Sequence, residues 1–163
     1  DPEMSRGLGD VYKRQETKFC KLPLDFGALL SEDVENSRLE SCSEIESIDQ
    51  FIELLISTAP GEHTFDKKFG CKIFYLDFES IVSHTRWEGQ FSEYITTAVT
   101  TYEKRLTNVS VRVIIDDTML QDSMYETSSI KKRVQVYVSG NLVRTGERRT
   151  FYYVIYLGPI STR

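Results

Sequence analysis

Histidine, cysteine and proline are scarce in this sequence, with 2, 3 and 4 residues respectively, and each shortage removes a class of protein. His63 and His84 stand far apart, with no cysteine or histidine at ligand spacing from either. A zinc site needs three or four such side chains converging on one ion, so no metal is expected. Cys20, Cys42 and Cys71 are an odd number without a C-x-x-C pair, which fits neither a disulfide framework nor a dithiol redox motif. Reduced thiols in a cytoplasmic protein are the expectation. No apolar run approaches the roughly 20 residues that span a bilayer, so no direct membrane insertion is expected. Basic residues are also in deficit: 20 Lys and Arg against 25 Asp and Glu give a net charge of -5. Nucleic acid binding needs a basic face, and here the cations are scattered. The one dense basic run, Lys131-Lys132-Arg133, opens a strand-like stretch and reads as a solvated edge that discourages aggregation.

The chain has 163 residues, the size of one ordinary domain with a sizeable core. Its first part does not contribute to that core. Residues 5–15, "SRGLGDVYKRQ", show neither helical nor strand periodicity, and no apolar segment follows them as in a signal peptide. They resemble the in-frame translation of a transposase-end adapter used in sequencing libraries. Residues 1–15 are therefore read as an adapter-derived or disordered tail. Residues 16–42, with "KLPLDFGALL" and the acidic "SEDVENSRLESCSE", read as an N-terminal arm and linker. A single domain is expected over 43–163.

Ser43-Glu44-Ile45-Glu46 is a capping box that opens a helix. Behind it Ile45, Ile48, Ile52 and Leu55 form one stripe, flanked by Phe51 and Ile56, and Pro60-Gly61 ends it. Cys71–Phe78 suits a short strand or irregular extended segment. A second helix is predicted from Trp87 to Leu106, because Trp87, Phe91, Ile95, Ala98, Tyr102 and Leu106 recur on one face. Val109, Val111, Val113 and Ile115 alternate with other residues, as do Val134, Val136 and Val138, and "RTGERR" turns into "TFYYVIYLG". That last strand is apolar on both faces and should not stay bare. The expectation is an α+β fold: two helices packed on an antiparallel β-meander of three main strands, with a short extra extended segment.

Five blocks carry more than periodicity. They are Leu54-Leu55 with Thr58; Gly61-Glu62; Phe69-Gly70; Leu76-Asp77-Phe78-Glu79; and Tyr102-Glu103-Lys104-Arg105-Leu106. In this order and spacing, across roughly residues 45–157, the chain resembles the phage baseplate-wedge (lysozyme-like) family that includes TssE, the type VI secretion baseplate subunit. The resemblance implies a structural baseplate subunit of a contractile injection machine, joining wedge subunits and templating sheath assembly. Its implied partners are other wedge subunits and the sheath protein. Two positions depart from the family pattern, His63 where it has arginine and Lys104 where it has proline. The motif residues Gly61, Glu62, Phe69, Gly70, Leu76, Phe78, Glu79, Tyr102, Glu103 and Arg105 are implied to serve structure and assembly. Glu62, Glu79, Glu103 and Arg105 are expected to form one polar cluster.

The alternative is a peptidoglycan-cleaving enzyme, for which "TAPGEHTFDKKFGCKIFYLDFE" supplies carboxylates at Glu62, Asp66, Asp77 and Glu79. A glycosidase holds two carboxyls about 5–10 Å apart across a sugar cleft. A glutamate at a helix end is as readily explained by bonds to free backbone amides or by Arg105, and the aromatics fall mainly on core-facing positions. Cys71 reads as a buried thiol rather than a nucleophile, and Trp87 as a core anchor. No catalytic residue and no cofactor is assigned.

Overall fold

A computed structural model of the chain describes residues 18–30, 39–76, 84–122 and 127–157. Two compact units make it up, Asp1–Ser47 and Ile48–Arg163. In the first, β1 (Phe19–Cys20) pairs antiparallel with β2 (Ser41–Cys42), and a one-turn helix α1 (Phe26–Leu29) lies between them in sequence. Lys21 continues the ribbon, its amide donating to the Glu40 carbonyl (2.9 Å) and its ammonium meeting the Glu40 carboxylate at 3.1 Å. Within the span read from sequence as an arm and linker, this pairing joins Phe19–Lys21 to Glu40–Cys42.

Helix α2 runs Glu44–Ser57. Ser43 caps it as read from sequence, its hydroxyl accepting the Glu46 amide at 3.2 Å. Of the expected stripe Ile48, Ile52, Leu55 and Ile56 are buried, while Ile45 and Phe51 are half-buried. The segment expected to be extended is instead a 3-10 turn, Lys72–Tyr75, closed by Leu76 N–H to Ile73 O at 3.1 Å. Only Ile73 of that turn is buried. With a single apolar anchor and no partner strand among the described residues, the segment satisfies the Leu76 amide locally. Its continuation, including Phe78, lies outside the described residues.

Helix α3 spans His84–Tyr102, beginning and ending earlier than periodicity predicted. Leu106 keeps the stripe's spacing but belongs to the next strand. Trp87, Phe91, Ile95, Ala98 and Val99 are buried, with the Trp87 and Phe91 rings 5.0 Å apart. Three long strands follow: β3 (Leu106–Asp122), β4 (Thr127–Leu142) and β5 (Arg148–Leu157), in the order β3-β4-β5, all antiparallel. The fold is therefore α+β, helices with a three-stranded meander. A register shift between Thr107 and Ser110, with Asn108 at φ 51°, marks a bulge near the start of β3. It explains why alternation is legible only from Val109 onward.

Register sorts the sheet into two faces. Val111, Val138 and Phe151, then Val113, Val136 and Tyr153, then Ile115, Val134 and Ile155 stand side by side on the inner face. Val134, Val136 and Val138 are wholly buried there. The β4–β5 hairpin closes with Leu142 N–H to Glu147 O (2.9 Å) and Gly146 N–H to Leu142 O (2.7 Å), Gly146 taking φ +73°. No helix among the described residues is long and apolar enough to cross a membrane.

Candidate assembly surface

Two of the sequence blocks meet in the loop that follows α2. Pro60-Gly61 forms a turn with Gly61 at φ +97° and the Glu62 amide donating to Ala59 O at 3.2 Å. The Glu62 carboxylate returns the contact, accepting the Ala59 amide at 2.8 Å. The Tyr75 hydroxyl donates to Pro60 O at 3.0 Å. Gly70, at φ +116°, passes so close to the chain that a Cβ there would lie 2.4 Å from the Thr58 carbonyl oxygen. That carbonyl accepts the Cys71 amide at 2.9 Å, stitching both ends of the loop together. Phe69 fills the space beneath, its ring 6.0 Å from Phe51, 5.4 Å from His63 and 5.2 Å from Tyr102, with the Tyr102 hydroxyl 3.3 Å from Asp66. His63 differs from the family's arginine in kind as well as size: its Nδ1 accepts the Asp66 amide at 3.1 Å, a role no guanidinium can take.

Glu103 and Arg105 form a second centre after α3. Glu103 is the one charged side chain buried among the described residues, 2 % exposed. It accepts the Arg105 backbone amide (2.9 Å), Nε (2.8 Å) and Nη2 (2.5 Å), a bidentate fork held by a two-residue turn. The Arg105 carbonyl accepts Val143 N–H at 2.9 Å, which ties this turn to the β4–β5 hairpin. Lys104 swings back to the Thr100 carbonyl at 3.0 Å, a cation on a helix C-terminus. Of the cluster expected from sequence, the structure joins Glu103 to Arg105 and sends Glu62 to its own turn. Asp77, Phe78 and Glu79 lie outside the described residues.

Cys71 is fully buried, and burial pushes its thiol up to about 11 from an ordinary 9.0. Tyr153 is also raised, first by burial and then by its bond to Asp49. A group whose folded-state pKa is raised stabilises the fold below its unfolded value and loses that contribution as pH climbs through the shifted one. Urea-unfolding free energy is therefore expected to hold up to pH 9 and fall by about 3 kcal/mol toward pH 11 from Cys71 alone. Tyr153 adds to the loss above its ordinary 10.0. Cys71→Ala should flatten the first part of that decline; an unchanged slope in the variant would remove the thiol as its cause.

The two edges of the meander are treated differently. On β3, the Ser92 hydroxyl of α3 donates to Val111 O at 2.8 Å and the Glu88 carboxylate accepts Ile115 N–H at 2.9 Å. One turn apart on the helix, these side chains satisfy backbone groups that a neighbouring strand would otherwise claim. Sequence reading missed both. Their signal is the i, i+4 spacing beside the Trp87/Phe91 stripe, which identifies a helix face but not what it covers.

Because Ile115 N–H points away from β4, alternation across the registered pairs aims the amides and carbonyls of Tyr152, Val154 and Tyr156 away from β4 on β5. Beside that edge runs a groove of about 540 Å³, lined by α2 (Asp49, Glu53, Ile56), the 3-10 turn (Ile73, Phe74) and residues 152–155 of β5. The Tyr153 hydroxyl donates to Asp49 Oδ1 at 2.7 Å and spans from β5 to α2. On the sheet's outer face the Tyr137 and Tyr152 rings lie 4.9 Å apart, tilted by 38°, and both hydroxyls donate to Gln135 Oε1, while Tyr152, Val154 and Tyr156 remain 50 %, 37 % and 55 % exposed. The sequence suggested that neither face of "TFYYVIYLG" should stay bare; on this face the described residues leave it uncovered.

A sequence model of the baseplate wedge protein gp25 family matches residues 42–146. No curated protein matches the chain. Among solved structures, a Geobacter sulfurreducens protein named as a tail lysozyme aligns at 22 % identity and TM-score 0.54, over 76 % of this chain and 100 % of its own. A chain in the baseplate complex from the type VI secretion system aligns at 17 % identity and TM-score 0.46, over 69 % of this chain and 93 % of that one.

Proposed function

The chain belongs to the baseplate wedge protein gp25 family, and from that premise we propose that it is a structural baseplate subunit of a contractile injection machine, of the type VI secretion or phage-tail kind, which joins wedge subunits and templates sheath assembly through the edge of β5. The observation that carries this reading is the asymmetry of the meander. One edge is covered by Glu88 and Ser92, while the other borders a groove and turns three residues' backbone groups outward. An incoming strand gains main-chain hydrogen bonds from such an edge and register from side-chain pockets beside it. The proposed partners are neighbouring wedge subunits and the sheath protein, assembled in the cytoplasm without nucleic acid or membrane insertion.

The test is Val154→Pro. Its amide faces outward, so proline removes one edge donor and leaves the ladder to β4 intact. The variant is expected to keep its circular dichroism and melting temperature while losing co-purification with co-expressed sheath and wedge proteins. Unchanged partner binding by the folded variant would sink the β5 assignment.

The enzymatic alternative predicts peptidoglycan hydrolysis that depends on Glu62. Here that carboxylate is committed to the Ala59 amide, so purified protein is expected to release no soluble fragments from peptidoglycan. Hydrolysis abolished by Glu62→Gln in a folded protein would reverse the assignment.

A further inference from the structure

The groove beside β5 has one charged wall. Along α2 its lining runs Asp49, Glu53, Ile56 and Ser57, so two carboxylates are followed by an apolar side chain and a small hydroxyl, and Ile73 with the 46 %-exposed Phe74 extends the apolar part. Asp49 is engaged by the Tyr153 hydroxyl through one carboxylate oxygen, at 2.7 Å. Glu53 is exposed and has no hydrogen bond or ion pair among the described residues. Among the described residues no basic side chain lines the groove. The wall therefore presents negative charge that no cation among the described lining residues balances.

Spacing makes that charge readable by a strand. Residues four apart on a helix are displaced by about 6 Å along its axis. Residues two apart on a strand are displaced by about 6.6–6.8 Å and share one face. A strand added to β5 would extend the inner face, on which Tyr153 already reaches Asp49, and the two spacings match where that strand follows α2.

We propose that the β5 groove selects an extended partner segment carrying Lys or Arg at two alternate positions, with an apolar residue next on the same face. This rests on the strand-addition reading above and adds the partner's chemistry to it. The basic pair faces Asp49 and Glu53, and the apolar residue enters beside Ile56, Ile73 and Phe74. The segment's register is set by this charge pattern, since a slip by one residue would turn every one of these side chains to the opposite face.

The experiment uses the full chain and fluorescein-labelled synthetic peptides in a polarisation assay at low salt. One peptide carries the alternating Lys-Thr-Lys-Thr-Val core, one replaces both lysines with glutamate, and both are titrated against wild type, Glu53→Lys and Val154→Pro. The Lys peptide should bind wild type about fivefold to tenfold more tightly than the Glu peptide. Glu53→Lys should reduce or invert that preference, and Val154→Pro should weaken the Lys peptide. Equal binding of both peptides, lost in Val154→Pro, would overturn the charge selection while leaving the strand-addition reading standing. Lys-peptide binding indifferent to Val154→Pro would place it elsewhere and overturn both. No binding of the Lys peptide up to millimolar concentration would overturn the proposed pattern.

Discussion

Arg105→Ala is expected to destabilise the larger unit by roughly 3 kcal/mol, the lower end of the cost of stranding one member of a buried ion pair. Glu103 is 2 % exposed and receives three donors, all from Arg105. Alanine keeps the backbone amide and removes the fork, leaving a buried carboxylate with one partner where it had three. The Arg105 side chain is itself 27 % exposed, so some water can enter, which places the loss at the low end rather than the high. In chemical unfolding the midpoint should fall with little change in the denaturant slope, and the melting temperature should drop by roughly 10 °C. The double variant Glu103→Leu/Arg105→Met should lose less than Arg105→Ala alone, because it removes the charge needing a partner along with the partner. A single variant within about 0.5 kcal/mol of wild type, the scatter of ordinary surface substitutions, would show that the fork does not hold the end of α3.

Gly70→Ala is expected to cost a similar amount by another route. At φ +116° an L side chain is strained, by about 1–3 kcal/mol. Its Cβ would also stand 2.4 Å from the Thr58 oxygen and 3.0 Å from the Thr58 carbonyl carbon. Backbone cannot swing aside as a side chain can, and moving it breaks the Cys71-to-Thr58 bond, a further loss near 1 kcal/mol. A total of about 2–4 kcal/mol follows. Two other glycines calibrate it. Gly61, at φ +97° with nothing near its missing Cβ, should give only the strain, and Gly89, in α3 with open space, should stabilise by about 0.5–1 kcal/mol when changed to alanine. Urea titration of the three variants checks the order. A Gly70→Ala loss no larger than that of Gly61→Ala would mean the close approach to Thr58 is not needed.

Several features belong to the sequence alone because their causes are local. The Ser43 cap acts within one helical turn. The stripe of Ile48, Ile52 and Leu55 and the alternation of Val134, Val136 and Val138 each report the period of a single element, and all six side chains are buried. The family resemblance implied one polar cluster of Glu62, Glu79, Glu103 and Arg105, and of these Glu103 and Arg105 pair within a two-residue turn. Local reasoning overran where a pattern crossed an element boundary. Leu106 keeps helical spacing from Tyr102, but the Glu103–Arg105 turn ends the helix between them. Near Asn108 a bulge hid the start of β3. Cys71–Leu76 carried too few apolar positions to tell a strand from a 3-10 turn.

Other features depend on contacts between residues far apart in the chain, which no window of sequence contains. Glu62 could have paired with Arg105 or with its own turn; the turn decided, because Pro60 and Gly61 bring the Ala59 amide within reach first. The two faces of "TFYYVIYLG" look alike in sequence, and the register with β4 assigned Phe151 inward and Tyr152 outward. An exposed meander edge followed from topology, but either β3 or β5 could have been that edge. Glu88 and Ser92 decided it from α3 by satisfying Ile115 and Val111. The reason is general: amides and carbonyls are the same at every residue, so only the folded chain can show which of them already have partners.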